Sequence, residues 1–287
     1  MHIGLIPINV GITDPAMIRA VARGAEAAGV ESVWTFEHAI VPVDYASKYP
    51  YSKTGKMPAN PETPFIDPFL ALAYVAGCTK TLKIGTGVNI LPQANPLTFA
   101  KQVASLDTLS GGRFVLGVGV GWLREEYAAM GTPFERRGAR FNDYLVAMKK
   151  VWTGDVVEHD SDFITWSGFK SLPTPAQKPH PPILVGGGTD AAFRRVVRHG
   201  TGWVAPSRDP EQLGRQLQRL RRIATELDRD PASVSVTAIT LGEMKAETLE
   251  EYAALGVERV VVSALAYAGP DGPAKLAALV ETGAGLP

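Results

Sequence analysis

RFVLGVGVG, residues 113–121, is the stretch on which the fold turns. Beyond Arg113 it has no polar side chain. A run that is apolar without alternation reads as a strand covered on both faces, the kind a parallel sheet buries. Its glycines, Gly117, Gly119 and Gly121, superficially match the opening of a dinucleotide-binding fingerprint. Three things count against that reading. The sixth position is Trp122 and not glycine, the strand closes a strand–helix unit in mid-chain, and no acidic residue ends a strand about 20 positions later. The run is one strand of a series.

Seven further runs flank it: His2–Asn9, Ser32–His38, Leu82–Leu91, Pro182–Gly188, Gly202–Pro206, Val234–Thr240 and Arg259–Leu265. Helical spacing separates them. Met17, Val21, Ala25 and Ala28 recur along a first helix. Leu213, Leu217, Leu220, Ala224 and Leu227 line one face of a later one, with arginines on the other. Asp14-Pro15, Asp67-Pro68, Asn95-Pro96 and Asp209-Pro210 each start a helix, because the side chain caps free N–H groups and proline suits the first turn. Gly29, Gly200 and Gly256 close helices. Strand and helix repeated eight times predicts a parallel α/β sheet with right-handed crossovers. Eight units close naturally into a (β/α)₈ TIM barrel, which takes about 250 residues plus insertions. One such domain is expected over all 287 residues; a doubly wound open sheet is the alternative.

Two stretches interrupt the rhythm. Residues 39–65, rich in Pro, Tyr and Lys, leave the C-terminal end of the second strand. They are expected over the barrel mouth, as a lid or pocket wall carrying Tyr45, Tyr49 and Tyr51, or else as a packed surface loop. Residues 154–181 precede the fifth strand and include an alternating segment, Asp162–Trp166. They fall nearer the opposite rim, where contact between two copies is the one role they suggest.

Composition narrows the function. Lysine plus arginine and aspartate plus glutamate both number 29, so no excess charge draws nucleic acid or an anionic membrane. No apolar run reaches about 18 residues, so no membrane span is expected. The five histidines are scattered without metal-ligand spacing. The single cysteine, Cys78, cannot form an internal disulfide and reads as a small buried hydrophobe on a helix. Met1–Pro7 reads as a strand with no basic leader, and a reducing cytoplasm is the expected compartment.

Barrels of this class place their chemistry at the C-terminal strand ends. The second strand ends on His38, a candidate proton-transfer residue near neutral pH; a packed structural histidine is the alternative. The third ends Gly85-Thr86-Gly87-Val88-Asn89, where glycine lets backbone approach a flat ligand or simply relieves crowding. The fourth contributes Gly119. The fifth ends Gly186-Gly187-Gly188-Thr189 and runs into a helix, so its N–H groups suit a phosphate, with a flexible turn as the bland reading. Ser207 and Arg208 follow the sixth strand and could reach the same anion. Trp34, Phe36 and Trp122 either wall a pocket or fill the core. No nucleophile elbow, Walker loop or metal site is present in the sequence.

Taken in this order, Gly85–Pro92, Asn95-Pro96 with its helix, Gly112–Trp122, Arg137-Gly138-Ala139-Arg140 and Gly186-Gly187-Gly188 resemble the luciferase-like superfamily over nearly the whole chain. The likeness is closest to its branch that uses coenzyme F420, a 5-deazaflavin. The resemblance implies a barrel, commonly a homodimer, with the cofactor ring against Gly87, Val88, Asn89 and Gly119. It implies a non-proline cis peptide at Gly87-Val88 or Val88-Asn89, and a phosphate on Gly186, Gly187, Gly188, Thr189 and Ser207. His38 would stand beside the reactive ring carbon of an oxidoreductase that moves a hydride between deazaflavin and a small organic substrate. An FMN-dependent monooxygenase and a non-catalytic flavin-binding protein are the alternatives. Lys48, Lys53 and Lys56 on the lid, with Arg208, would meet the acidic glutamyl tail that deazaflavin carries and FMN lacks. The family's sugar-phosphate dehydrogenases have glutamate where Trp122 stands and tryptophan where Pro42 stands, so the substrate pocket is rebuilt.

Overall fold

The computed structural model describes residues 1–206 and 209–287. Numbering only the barrel strands, these are β1 (His2–Ile6), β2 (Ser32–Thr35), β3 (Lys83–Thr86), β4 (Phe114–Gly119), β5 (Ile183–Gly186), β6 (Gly202–Pro206), β7 (Ser235–Thr240) and β8 (Arg259–Ser263). Each pairs in parallel with its neighbours, and β8 returns to β1 over five residue pairs, from His2–Arg259 to Ile6–Ser263, which closes the barrel. The helices are α1 (Pro15–Ala27), α2 (Pro68–Cys78), α3 (Pro96–Leu109), α4 (Arg124–Ala129), α5 (Arg137–Val151), α6 (Asp190–His199), α7 (Pro210–Glu226), α8 (Ala246–Ala254) and α9 (Gly272–Ala284). None among the described residues is long and apolar enough to cross a membrane.

The four Asp/Asn-Pro starts are all helix caps. Asp14 accepts from Ala16 N at 2.8 Å, Asp67 from Leu70 N at 2.9 Å, Asn95 from Leu97 N and Thr98 N at 3.1 Å, and Asp209 from Glu211 N at 3.0 Å. Of the stripe expected on α1, Ala25 is buried and Val21 and Ala28 pack at the edge of the core, while Met17 is 53% exposed. Ile18 and Ala22, the neighbouring apolar residues, complete the buried face.

The strands are shorter than the apolar runs. Pro7 has no N–H with which to continue β1, and Phe36, Glu37 and His38 leave the ladder after Thr35. The third run breaks after Thr86 and resumes as a two-residue strand, Asn89–Ile90. The Gly87–Val88 peptide between them is cis, at the first of the two bonds anticipated. Only Ile84 and Gly85 pair with β4 below the break, and Asn89 and Ile90 pair with Val118 and Gly119 above it. In the gap the Thr86 hydroxyl replaces the ladder. It donates to Gly117 O at 2.7 Å and accepts from Gly117 N at 2.9 Å.

Ile6, Trp34, Val115, Leu184, Val204, Ile239 and Val261 fill the inside of the barrel. Trp34 is fully buried and donates to Ser32 Oγ at 2.8 Å. A Cβ on Gly85 would lie 2.6 Å from its ring, so that glycine is the space the indole occupies. Trp34 is barrel filling and not a pocket wall. Beneath it Arg259 makes two 2.7 Å bonds to Glu31 and one of 3.1 Å to Thr237 Oγ1. Burial would push the Glu31 carboxyl up, but the bonds and charge of Arg259, with Ser32 and Lys83, outweigh it and hold the carboxyl at about 2.

Residues 154–181 contain an antiparallel hairpin, Val157–Asp160 with Thr165–Phe169. It packs on α5 through Asp143, which lies 2.9 Å from His159 Nε2 and accepts from Ser161 Oγ at 2.9 Å.

Candidate active site

The ends of β1 and β2 meet at the mouth through Asn9. This buried amide donates to Phe36 O at 2.8 Å and Ile66 O at 2.7 Å, and accepts from Phe36 N at 3.1 Å. It thus fixes both roots of the segment that runs from β2 to α2. His38 stands at the first root. Its Nδ1 lies 3.1 Å from Glu126 Oε2, on α4. A carboxylate only accepts, so the Nδ1–H donates in this contact, which selects for a neutral ring the tautomer with its lone pair on Nε2. The other Glu126 oxygen accepts from Ala39 N at 2.6 Å, and Glu126 is 2% exposed. The His38 ring meets Phe65 and Trp122 edge-on, at 5.6 and 6.2 Å between centroids.

The segment beyond His38, expected as a lid, packs against Trp122 and α4. Tyr45 and Tyr49 stack edgewise on Trp122, at 5.7 and 5.2 Å. Glu125 accepts from Ala46 N at 2.7 Å and Ser47 N at 3.2 Å. Two consecutive glutamates of α4 therefore hold the lid, one at its root and one further along. Lys56 lies 4.0 Å above the Tyr45 ring, while Lys48 and Lys53 are exposed.

Glu37, beside His38, turns to the third strand. It accepts from Asn89 Nδ2 at 2.7 Å and from the Ile90 amide. Burial pushes its carboxyl up to about 7; the bonds from Ile90 and Asn89 oppose this, and the charges of Glu126 and Asp67 add to it.

Gly87, Val88, Asn89, Gly119 and Gly186 come together. The Val88 side chain fills the space that side chains on β4 and β5 would take: a Cβ would lie 2.8 Å from it on Gly119 and 3.2 Å on Gly186. Val88 belongs to the top of the barrel's inner core, and makes an apolar floor at the mouth. Gly187 (φ +115°) turns the chain from β5 toward α6, and its carbonyl accepts from Trp203 Nε1 at 2.7 Å. Thr189 caps α6, accepting from Ala192 N at 3.2 Å, which leaves its O–H to donate elsewhere. Ser207, with Arg208, lies outside the described residues.

The sequence pointed to His38 and to the glycine cradle. It did not point to Glu126, Glu37 or Asn9. Glu126 is 88 positions from His38, on a short helix whose direction no local pattern encodes. Its carboxylate stands next to the histidine although Trp122 occupies the position at which the resemblance led a glutamate to be sought. A groove of about 560 Å³ at the opposite rim, lined by Leu217, Leu220, Ala224, Pro231 and Val234, is far from these groups.

The sequence profile of luciferase-like monooxygenases matches residues 6–270. An uncharacterised protein of Mycobacterium tuberculosis (strain H37Rv) is 34% identical over 251 residues, 88% of this chain and 86% of that one. The oxygenase component of a flavin-dependent trigonelline monooxygenase from Acinetobacter baylyi is 29% identical over 61% of this chain and 44% of its own. Among solved structures, an F420-dependent secondary alcohol dehydrogenase in complex with an F420–acetone adduct superposes with a TM-score of 0.80 at 14% identity, covering 98% of both chains.

Proposed function

The chain belongs to the luciferase-like monooxygenase family, and on that premise we propose that it is an oxidoreductase that binds coenzyme F420 at the barrel mouth and exchanges a hydride between it and a small organic substrate. The observation that carries this reading is the joint placement of an apolar floor and a carboxylate-held histidine. Val88 supplies the floor, and the glycines at 119 and 186 leave it room. The Gly186–Thr189 turn and the start of α6 suit the cofactor phosphate, since backbone N–H groups and the helix dipole both favour an anion there. When bound, the deazaflavin supplies the carbon that takes or gives the hydride.

The chain's own work is to bind, to enclose and to move a proton. Glu126 fixes the His38 tautomer, so Nε2 accepts a proton from a substrate hydroxyl during oxidation and returns it during reduction. Phe65, Trp122, Tyr45 and Tyr49 surround that nitrogen's ring and lid with apolar surface, which excludes water. The alcohol dehydrogenase with its acetone adduct gives a precedent on this fold for a carbonyl and alcohol pair as substrate. FMN is the second reading; the sequence likeness to the Acinetobacter oxygenase, which is flavin-dependent, favours a flavin. Fluorescence titration of the purified protein with deazaflavin and FMN, side by side, tests the choice. Tighter deazaflavin binding is expected. Micromolar FMN affinity without deazaflavin binding reverses it.

A further inference from the structure

The segment from Gly87 to Ile90 carries the floor of the site. On the β4 side its far end is held, where Asn89 and Ile90 pair with Val118 and Gly119, while its start lies where the β3–β4 ladder is interrupted, and Thr86 bridges that gap only on the side of β3. From β2, one backbone bond reaches it, Gly87 N to Thr35 O at 2.8 Å. Beyond Gly87, the contact from β2's end is the Glu37 side chain, whose two oxygens take the Asn89 amide and the Ile90 N–H. Two donors converging on two oxygens is the arrangement of an ionised carboxylate, because a protonated carboxyl must turn one oxygen into a donor. The next residue, His38, takes its partner from α4.

We propose that Glu37 is a positioning residue, which clamps the Val88–Ile90 segment to the histidine-bearing end of β2 and thereby fixes the floor relative to His38. The clamp stands on contacts within the chain; only its consequence for cofactor binding rests on the function proposed above. The groups facing Glu37 are Glu126 and Tyr127 of α4, Asp67 at the cap of α2, and His38 beside it. Two of these are acids, and with burial they hold the carboxyl near neutrality, about 7. The clamp therefore tightens as Glu37 loses its proton. Asn89 has a further atom in play: its buried Oδ1 has no hydrogen-bond partner. If Glu37 were glutamine, the Asn89 amide could turn over and present that oxygen to the new NH₂, while the glutamine oxygen kept Ile90.

The test uses cofactor-free protein first. In ¹⁵N-labelled wild type, the Ile90 amide proton should lie downfield and titrate with a midpoint near 7. In Glu37→Gln that titration should vanish while amide exchange of residues 87–91 stays close to wild type. In Glu37→Ala, exchange there should quicken about 10-fold or more, the scale of losing bonds to a charged acceptor. Wild-type exchange at residues 87–91 in a folded Glu37→Ala overturns the clamp, and a flat Ile90 titration in wild type overturns its pH dependence. Cofactor titration then follows. Weakening by about 10-fold in Glu37→Ala, largely restored in Glu37→Gln, is expected; equal affinity in all three overturns the link to the floor. Wild type that binds neither deazaflavin nor FMN sinks the proposed function, and the exchange data still decide the clamp.

Discussion

Glu37 and His38 are neighbours in the chain and take partners from opposite sides of the mouth, the third strand and α4. Their substitutions should therefore separate. His38→Ala removes the proton acceptor and leaves the floor in place. Single-turnover hydride transfer on cofactor-saturated protein should fall by about 10²–10⁴-fold, with cofactor affinity little changed; an unchanged rate per bound cofactor would make His38 a packing residue. Glu37→Gln should show itself in stability. The folded state holds this proton more tightly than the unfolded chain, about 7 against the ordinary 4.5. Stability from this group is therefore present below pH 4.5 and lost as pH rises through 7, on the order of 2–3 kcal/mol after allowing for partial exposure. Urea unfolding should find Glu37→Gln gaining on wild type at pH 8 and not at pH 4.5. A constant difference at both pH values would contradict the raised carboxyl. His38 was legible because a strand end in a barrel is where chemistry collects. Trp34 stays open between pocket wall and core in the sequence, because an aromatic in a strand gives no sign of its height inside the barrel, which depends on the registers of β2 and β3.

At the scale of elements, two glycines of β4, two residues apart, should behave differently. A Cβ on Gly117 would sit 1.8 Å from the Thr86 carbonyl oxygen, which is backbone, whereas one on Gly119 meets the end of the Val88 side chain at 2.8 Å. Gly117→Ala should cost about 3 kcal/mol or more, as overpacking against an immovable group does. Gly119→Ala should fold and lose cofactor affinity as Val88 shifts. Melting curves with cofactor titration compare them, and equal stability in the two variants would contradict the reading of the seam. Gly187→Asp places a carboxylate where a phosphate is proposed, and the position's φ of +115° strains any side chain. Cofactor binding should be lost with the fold retained; unchanged affinity removes this turn from the phosphate site. Helix starts were legible from sequence, because an Asp-Pro or Asn-Pro pair is a complete local device. The break in β3 was legible as a glycine signal and not as a break. Its hydroxyl splice needs Thr86 and Gly117 side by side, and only the closed barrel supplies that.

For the whole molecule, closure depends on β8 returning to β1, and Arg259 secures that return by its bonds to Glu31 and Thr237. Arg259→Ala leaves the Glu31 carboxylate with only the more exposed Lys83 ammonium at 2.9 Å and should destabilise the barrel by about 3 kcal/mol at pH 7, the low end for a broken buried pair. The loss should shrink as pH falls. Glu31 is held at about 2 in the fold, so its contribution is complete above 4.5 and disappears as pH falls toward 2. Denaturant midpoints of wild type and variant that stay equally far apart at pH 3 and pH 7 would contradict this. Glu31 and Glu37 bracket one four-residue strand, β2, and their pH responses run in opposite directions. Durability from these two groups peaks in mild acid, where Glu31 is charged and Glu37 is not. Readiness at the mouth, on the proposed clamp, grows as Glu37 ionises near neutrality. A preparation stored for longest life at pH 5 would thus keep the molecule in its less prepared form, and moving it to pH 8 before assay should exchange lifetime for competence within one unchanged fold.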